Sequence, residues 1–160
     1  MNAARPVLFA TDGSPCAADA QTKAIELAGL LGAPLVVVAV AHPPLPPVGY
    51  SAAYGYSNVA AELTKGEHER LQALLSSVAD TADQVGVSCS TVVADGPIVD
   101  EICRRASDYD AQLIIVGSHG WGAARRLFSG SVSTGLVHSA PCPVLVVRGP
   151  HPAYGQAAAA

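Results

Sequence analysis

Charged residues are scarce in this chain of 160 residues: 14% are Asp, Glu, Lys or Arg, and nine bases against 13 acids give a net charge of −4. The strongly basic footprint of a general nucleic-acid binder is missing. Aromatic residues make up 5%, too few for base-stacking platforms, which rely on Phe, Tyr or Trp. Cysteine is limited to Cys16, Cys89, Cys103 and Cys142, widely spaced and without a C-x-x-C pair. Neither a disulfide framework nor a zinc site is implied, and buried reduced thiols are expected. Long hydrophobic runs are also absent. Leu35 to Ala41 and Leu113 to Val116 suit buried strands, whereas a membrane-spanning helix needs about 20 apolar residues. Met1 to Pro6 offers no apolar signal-peptide core, so a cytoplasmic location is expected, with neither a membrane nor a nucleic acid as partner.

Apolar residues are plentiful. Half the chain is hydrophobic and the mean hydropathy is +0.33, which excludes disorder driven by high charge and low hydrophobicity. A single domain over residues 1–150 is expected, with 151–160 as a frayed or disordered tail. A domain of that length buries about 70% of its unfolded surface and needs no covalent staple.

Short apolar runs alternate with longer amphipathic segments. Val7 to Ala10 reads as a first strand, and Ser14-Pro15 as a helix start with Ser at the N-cap and Pro at the first helical position. Ile25, Leu27, Ala28, Leu30 and Leu31 are expected to carry that helix's apolar face, with Gly32 closing it. Leu35 to Val40 is a second strand. From His42 to Gly66 the rhythm breaks, with Pro43, Pro44, Pro46 and Pro47 followed by Gly and Tyr. A long connection of this kind reads equally as a functional lid or a plain loop. A second helix then carries Leu71, Leu74, Leu75, Val78, Ala82 and Val85, and Gly86 ends it. Val87 to Val93 reads as a third strand. Gly96-Pro97 opens a third helix, with Ile98, Val99, Ile102, Cys103 and Ala106 as its stripe. Leu113 to Val116 is a fourth strand, a short helix starts at Ser131 and carries Val132, Leu136 and Val137, and Val144 to Val147 is the fifth strand. Strands apolar on both sides imply an α/β fold: one doubly wound, five-stranded parallel sheet with helices on both faces, Rossmann-like.

Ligands of such sheets bind beyond the carboxyl ends of the strands, where the strand order reverses. Two exits stand out, Thr11-Asp12-Gly13-Ser14 after the first strand and Gly117 to Ser131 after the fourth. In the second, glycines at 117, 120 and 130 let backbone N–H groups approach an anion, and Gly130-Ser131 opens a helix whose dipole favours phosphate. The same glycines also serve a simple chain reversal. There is no G-x-x-x-x-G-K-[ST] and no G-x-G-x-x-G in this chain, so Walker-type and dinucleotide-dehydrogenase sites are rejected.

Gly117-x2-Gly120-x9-Gly130-Ser131 resembles the motif of the universal stress protein family in its ATP-binding branch. The resemblance runs over roughly residues 5 to 148, from the opening Val7 to Ser14 to the closing Ala140-Pro141-Cys142-Pro143-Val144-Leu145-Val146-Val147. It implies the family's fold, shared with the adenine nucleotide alpha hydrolase-like proteins. It places Asp12 near the ribose or base and Val40 against adenine, with Val116 and Gly117 as the pocket floor. His119, Gly120, Gly130, Ser131 and Val132 would surround the phosphates. The residues themselves leave alternatives. Asp12 suits a sugar hydroxyl or the N-terminus of the helix at Pro15, and His119 a phosphate or solvent. Arg125 and Arg126 suit a phosphate clamp or a solvent-facing pair. Val40 would otherwise be ordinary core.

The resemblance implies a nucleotide-dependent stress-response or signalling module that binds ATP, with Mg²⁺ compatible because magnesium often sits on phosphates and few protein groups. Efficient phosphoryl transfer needs a positioned base and metal carboxylates, and Asp12 is the one obvious carboxylate at the expected site. No catalytic residue and no resident metal are assigned, and slow ATP hydrolysis is the most expected of the protein. The alternatives are an ATP-hydrolysing or adenylate-forming enzyme of the same architecture, or a nucleotide-free, partner-binding stress protein. The last strand, Val144, Leu145, Val146 and Val147, is expected at a sheet edge. There it would pair with its copy across a two-fold axis as a homodimer.

Overall fold

The computed structural model describes residues 4–41, 56–118 and 131–148, apart from the side chains of Cys16 and residues 56–60. The expected tail at 151–160 and the proline-rich part of the insert at 42–55 lie outside those residues.

Val7–Ala10 forms β1, with all four side chains buried. Ser14 stands at the N-cap position of α1, Pro15–Leu31, in an extended conformation but without a side-chain cap hydrogen bond, Pro follows in the first turn, and Gly32 closes the helix at φ 58°. That left-handed turn is one glycine tolerates without strain. β2 is Leu35–Ala41, α2 Tyr56–Gln84, β3 Cys89–Asp95, α3 Ile98–Asp108, β4 Leu113–Gly117, α4 Ser131–Ser139 and β5 Val144–Val147. The strands pair in parallel in the order β3-β2-β1-β4-β5. The doubly wound arrangement is therefore observed, with β3 and β5 at the edges and the order reversing between β1 and β4.

Alternation along the strands divides the core in two. Val7, Phe9, Leu35, Val37 and Ile115 pack with α1 and α2, while Leu8, Val36, Val38, Ile114 and Val116 pack with α3 and α4. The central strands are buried on both sides. Edge strand β3 is less buried, with Ser90 and Thr91 exposed and only Ala94 fully buried.

Four details differ from the sequence pattern. The buried face of α1 is made by Ala17, Ala20, Ala24, Ile25 and Ala28, whereas Leu30 and Leu31 are 82% and 50% exposed. Small side chains let the helix lie close to the sheet, and the leucines fall past its last packed turn. Val85 and Val137 are likewise exposed, the first because the chain leaves α2 at Gln84. β3 starts two residues late because the Val87 N–H closes the helix end on the Ala82 carbonyl at 3.0 Å, and it runs on to Asp95 in register with Ala41. Finally, residues 56–66 are helical and belong to α2 rather than to a loop. The run Ala60-Ala61-Glu62-Leu63 has high helix propensity, and one internal glycine, Gly66, does not outweigh it.

α2 runs antiparallel to the strands. The chain leaving its C-terminal end reaches the start of β2 at Ser88, just before β3, where the Leu35 N–H donates to the Ser88 carbonyl at 2.8 Å. Its middle reaches the end of β3, where His68 meets Asp95. At 29 residues it is about 43 Å long, so the turns before His68 stand beyond the carboxyl edge of the sheet.

Candidate functional site

A cleft of about 120 Å³, open to solvent at its mouth, lies at the carboxyl ends of β1, β2 and β4. Its floor is Ala10, Val38 and Val116, all buried sheet residues. Ile98 and Ile102 of α3, Val132 of α4 and Ala17 of α1 form the walls, and Val40 closes the β2 side. Thr11, Asp12 and Gly117 bring polar groups to the rim. An apolar slot with a few polar groups at one edge suits a flat heteroaromatic ring carrying a polar substituent.

The β1–α1 turn shapes that rim. Thr11 donates its N–H to the Val38 carbonyl at 3.0 Å, holding the turn to the sheet. The Gly13 N–H donates to Thr11 Oγ1 at 3.1 Å and the Ser14 N–H to Asp12 Oδ1 at 2.9 Å. Asp12 thus holds the helix entry through one oxygen, the helix-terminus role open to it in the sequence, and it also lines the cleft. Gly13 has φ +76°, and a Cβ there would lie 2.9 Å from Leu74 Cδ2 and 3.6 Å from Arg70 Nη1. The positive φ favours glycine here, and an added Cβ would also have to displace the Leu74 methyl.

Arg70 reaches this turn from α2. Its Nε and Nη2 donate to the Glu67 carboxylate at 2.8 and 2.9 Å. That bidentate grip, with a smaller contribution from the Asp12 charge, raises the Arg70 pKa, and hydrogen bonding to Arg70 lowers that of Glu67. Next along the same helix, His68 Nδ1 faces the Thr64 carbonyl at 3.0 Å and Nε2 faces Asp95 at 3.1 Å. The carbonyl first, and then the carboxylate, raise its pKa.

Of the residues expected at the site, Asp12, Val40, Val116, Gly117 and Val132 line this one cleft. Ser131 is the exposed first residue of α4, adjacent to Val132. His119, Gly120 and Gly130, with Arg125 and Arg126, lie outside the described residues. Ile98, Ile102 and Ala17 were not expected there, nor was Arg70 beside the β1–α1 turn behind it. The two isoleucines sit on a visible helical stripe, but no sequence signal says that the stripe's first turn faces a cleft rather than the core. No group of three or more His, Cys, Asp or Glu able to hold a metal occurs among the described residues. Asp108 and Asp110 lie far below the cleft, at the amino-terminal end of β4, where Asp110 accepts from Arg5 at 2.7 Å. Cys89, Cys103 and Cys142 are free and half-buried, and burial raises all three thiol pKa values, that of Cys89 to about 11. No described helix is long and apolar enough to cross a membrane.

Comparison with known proteins places this geometry among relatives. The profile of the Universal stress protein family matches residues 3–148. Universal stress protein MJ0531 of Methanocaldococcus jannaschii is 32% identical over 149 residues, covering 93% of this chain and 85% of its own length. Among solved structures, the universal stress protein UspA from Lactobacillus plantarum superposes with a TM-score of 0.78 at 22% identity, over 92% of this chain and 100% of its own. The universal stress protein from Archaeoglobus fulgidus in complex with dAMP gives a TM-score of 0.56 at 24% identity, over 88% and 95%. At those identities the likeness of the two structures is one of fold.

Proposed function

The chain belongs to the universal stress protein family, and from that premise we propose that it binds an adenine nucleotide, ATP, in the cleft at the carboxyl edge of its sheet. The observation that carries this reading is the cleft itself. It lies at the ends of β1 and β4, where the strand order reverses, with apolar walls and with Asp12 and Gly117 at its rim. The dAMP held by the Archaeoglobus relative supports an adenine ligand. In this reading Val40 and Val116 flank the base and Asp12 accepts from the ribose. The phosphates run toward Ser131, where the first N–H groups of α4 and its dipole favour anions. His119, Gly120 and Gly130 complete the phosphate side.

Asp12 is the one carboxylate among the described residues lining the cleft. A magnesium ion would sit on the phosphates with at most that side chain as a protein ligand. This favours a binding module that signals by its nucleotide state over an efficient phosphoryl-transfer enzyme. β5 stands at the open edge beyond β4, and pairing with a second copy there is the assembly that best covers it.

Isothermal calorimetry with ATP, AMP, cAMP and GTP tests the nucleotide reading. Saturable binding of ATP, weakened at least tenfold by Asp12→Ala and by replacing adenine with guanine, is expected, on the order of one lost charged hydrogen bond. No measurable binding of any adenine nucleotide refutes it.

A further inference from the structure

Resting on that nucleotide reading, we infer that Arg70, gripped by Glu67, is a positioning residue for Asp12, and that the pair makes the site select nucleotides carrying the ribose hydroxyls. The placement is specific. Nε and Nη2 of Arg70 are taken by Glu67 at 2.8 and 2.9 Å, which fixes the guanidinium plane. Nη1 is left facing the β1–α1 turn, 3.6 Å from where a Gly13 Cβ would stand. The absence of a side chain at Gly13 keeps that approach open.

Two charges of opposite sign thus flank one turn. Asp12 faces the cleft, and Arg70 comes from the α2 side, where it feels the Asp12 charge. An ionised carboxylate is an acceptor only, and Asp12 lines the same cleft as the apolar Val38, Val116 and Ile102, with the Arg70 counter-charge on the other side of its turn. A bound nucleotide adds further negative charge. A carboxylate supported from behind still serves as the acceptor for a hydroxyl pair on the ligand. Without that support, repulsion from the phosphates turns it away. Glu67 compensates the Arg70 charge overall, so the guanidinium acts at short range, through its orientation, rather than by a long-range field.

The measurement is the affinity ratio between AMP and 2′,3′-dideoxy-AMP, which share base and phosphate and differ only in the two hydroxyls. Wild-type protein is expected to prefer AMP. Arg70→Gln is expected to cut that preference by about three- to tenfold while leaving dideoxy-AMP affinity within about twofold, as for loss of part of one charged hydrogen bond. Arg70→Lys keeps a charge but not the bidentate grip and is expected to fall between. Asp12→Asn should abolish the preference, and adding Arg70→Gln to it should change nothing further, because the two act as one unit. Arg70 and Glu67 are surface residues, so circular dichroism is expected to be unchanged. If Arg70→Gln leaves the ratio at the wild-type value, or weakens both ligands equally, the inference is overturned. If wild-type protein binds AMP and dideoxy-AMP equally, or binds ATP but neither of them, the inference is overturned while the nucleotide reading stands; if it binds no adenine nucleotide at all, ATP included, both fall.

Discussion

Gly135 and Gly66 both sit inside helices, in α4 and α2, yet alanine at the two positions should act in opposite directions. Glycine in a helix interior costs about 1 kcal/mol relative to alanine, so each substitution starts from that gain. At Gly66 nothing lies within 4 Å of the added Cβ, and stabilisation by about 0.5–1 kcal/mol is expected. At Gly135 the Cβ would come to 2.9 Å from Val99 Cγ2 and 3.4 Å from Cγ1, against an optimum of about 3.5–4.0 Å between carbons. Val99 is β-branched and stiff at χ1, and it sits on α3 between Ile98 and Ile102, which wall the cleft. Forcing such a contact costs about 1–3 kcal/mol, which outweighs the propensity gain and leaves Gly135→Ala destabilising by about 0–2 kcal/mol. Urea denaturation followed by circular dichroism, with an unchanged m-value, reads both numbers. Adding Val99→Ala to Gly135→Ala should recover part of the loss, because the opposing methyls are gone. The reasoning is refuted if Gly135→Ala stabilises as much as Gly66→Ala. It is equally refuted if Gly66→Ala has no effect, since residues around Gly66 would then not be helical.

Two further outcomes follow from particular contacts. The raised pKa of His68 means that its link to Asp95 is at full strength below the unfolded value of 6.5 and is lost as pH rises through the higher folded value; His68→Ala should therefore destabilise the protein more at about pH 5.5 than at about pH 9, and an equal effect by thermal melts at both would refute the clasp. In β5 the Pro143 and Val147 carbonyls accept from Ile114 and Ser118 of the β4 side at 2.9 and 2.8 Å, so by alternation the Val146 N–H points to the open edge, and Val146→Pro should convert a dimer to monomer by light scattering while leaving the β4 ladder intact; wild-type protein that is monomeric at micromolar concentration would refute β5 pairing.

The strand pattern was the most legible part of the chain, for a physical reason. β1, β2, β4 and β5 are short runs of apolar residues that must be buried on at least one face, and their limits are set by Pro, Gly or polar residues next to them. Helix faces were less legible. Hydrophobicity ranks Leu30 and Leu31 above Ala20, Ala24 and Ala28, but contact with a sheet rewards small side chains, and the alanines are the buried ones. The start of α2 was hidden because Gly and Tyr around residues 49–56 resemble loop chemistry, while the helix formers after them are sparse in core residues. At the site, residues following strands are found by the exit rule, which leads to Asp12 and Gly117. Residues that converge from separate helices, such as Ile102 and Arg70, carry no local mark of their destination.

Two turns of α2 link these observations. Between His68 and Leu75 the helix touches Asp95 at the end of β3 and buries Leu71 and Leu75 over the sheet. The same segment sets Arg70 and Leu74 against the exit of β1. It therefore spans the carboxyl ends of three adjacent strands, β3, β2 and β1, the middle one being the strand that brings Val40 to the cleft. The apolar contacts supply the stability, since exposed ion pairs such as Arg70–Glu67 contribute about 0–1 kcal/mol. The polar contacts supply position instead: His68 ties α2 to the end of β3, and Glu67 holds Arg70 beside the β1–α1 turn. A helix anchored by its buried face and registered by its charged edge leaves the β1–α1 turn little freedom. That rigidity is what a site needs if it is to distinguish ligands differing by a pair of hydroxyls.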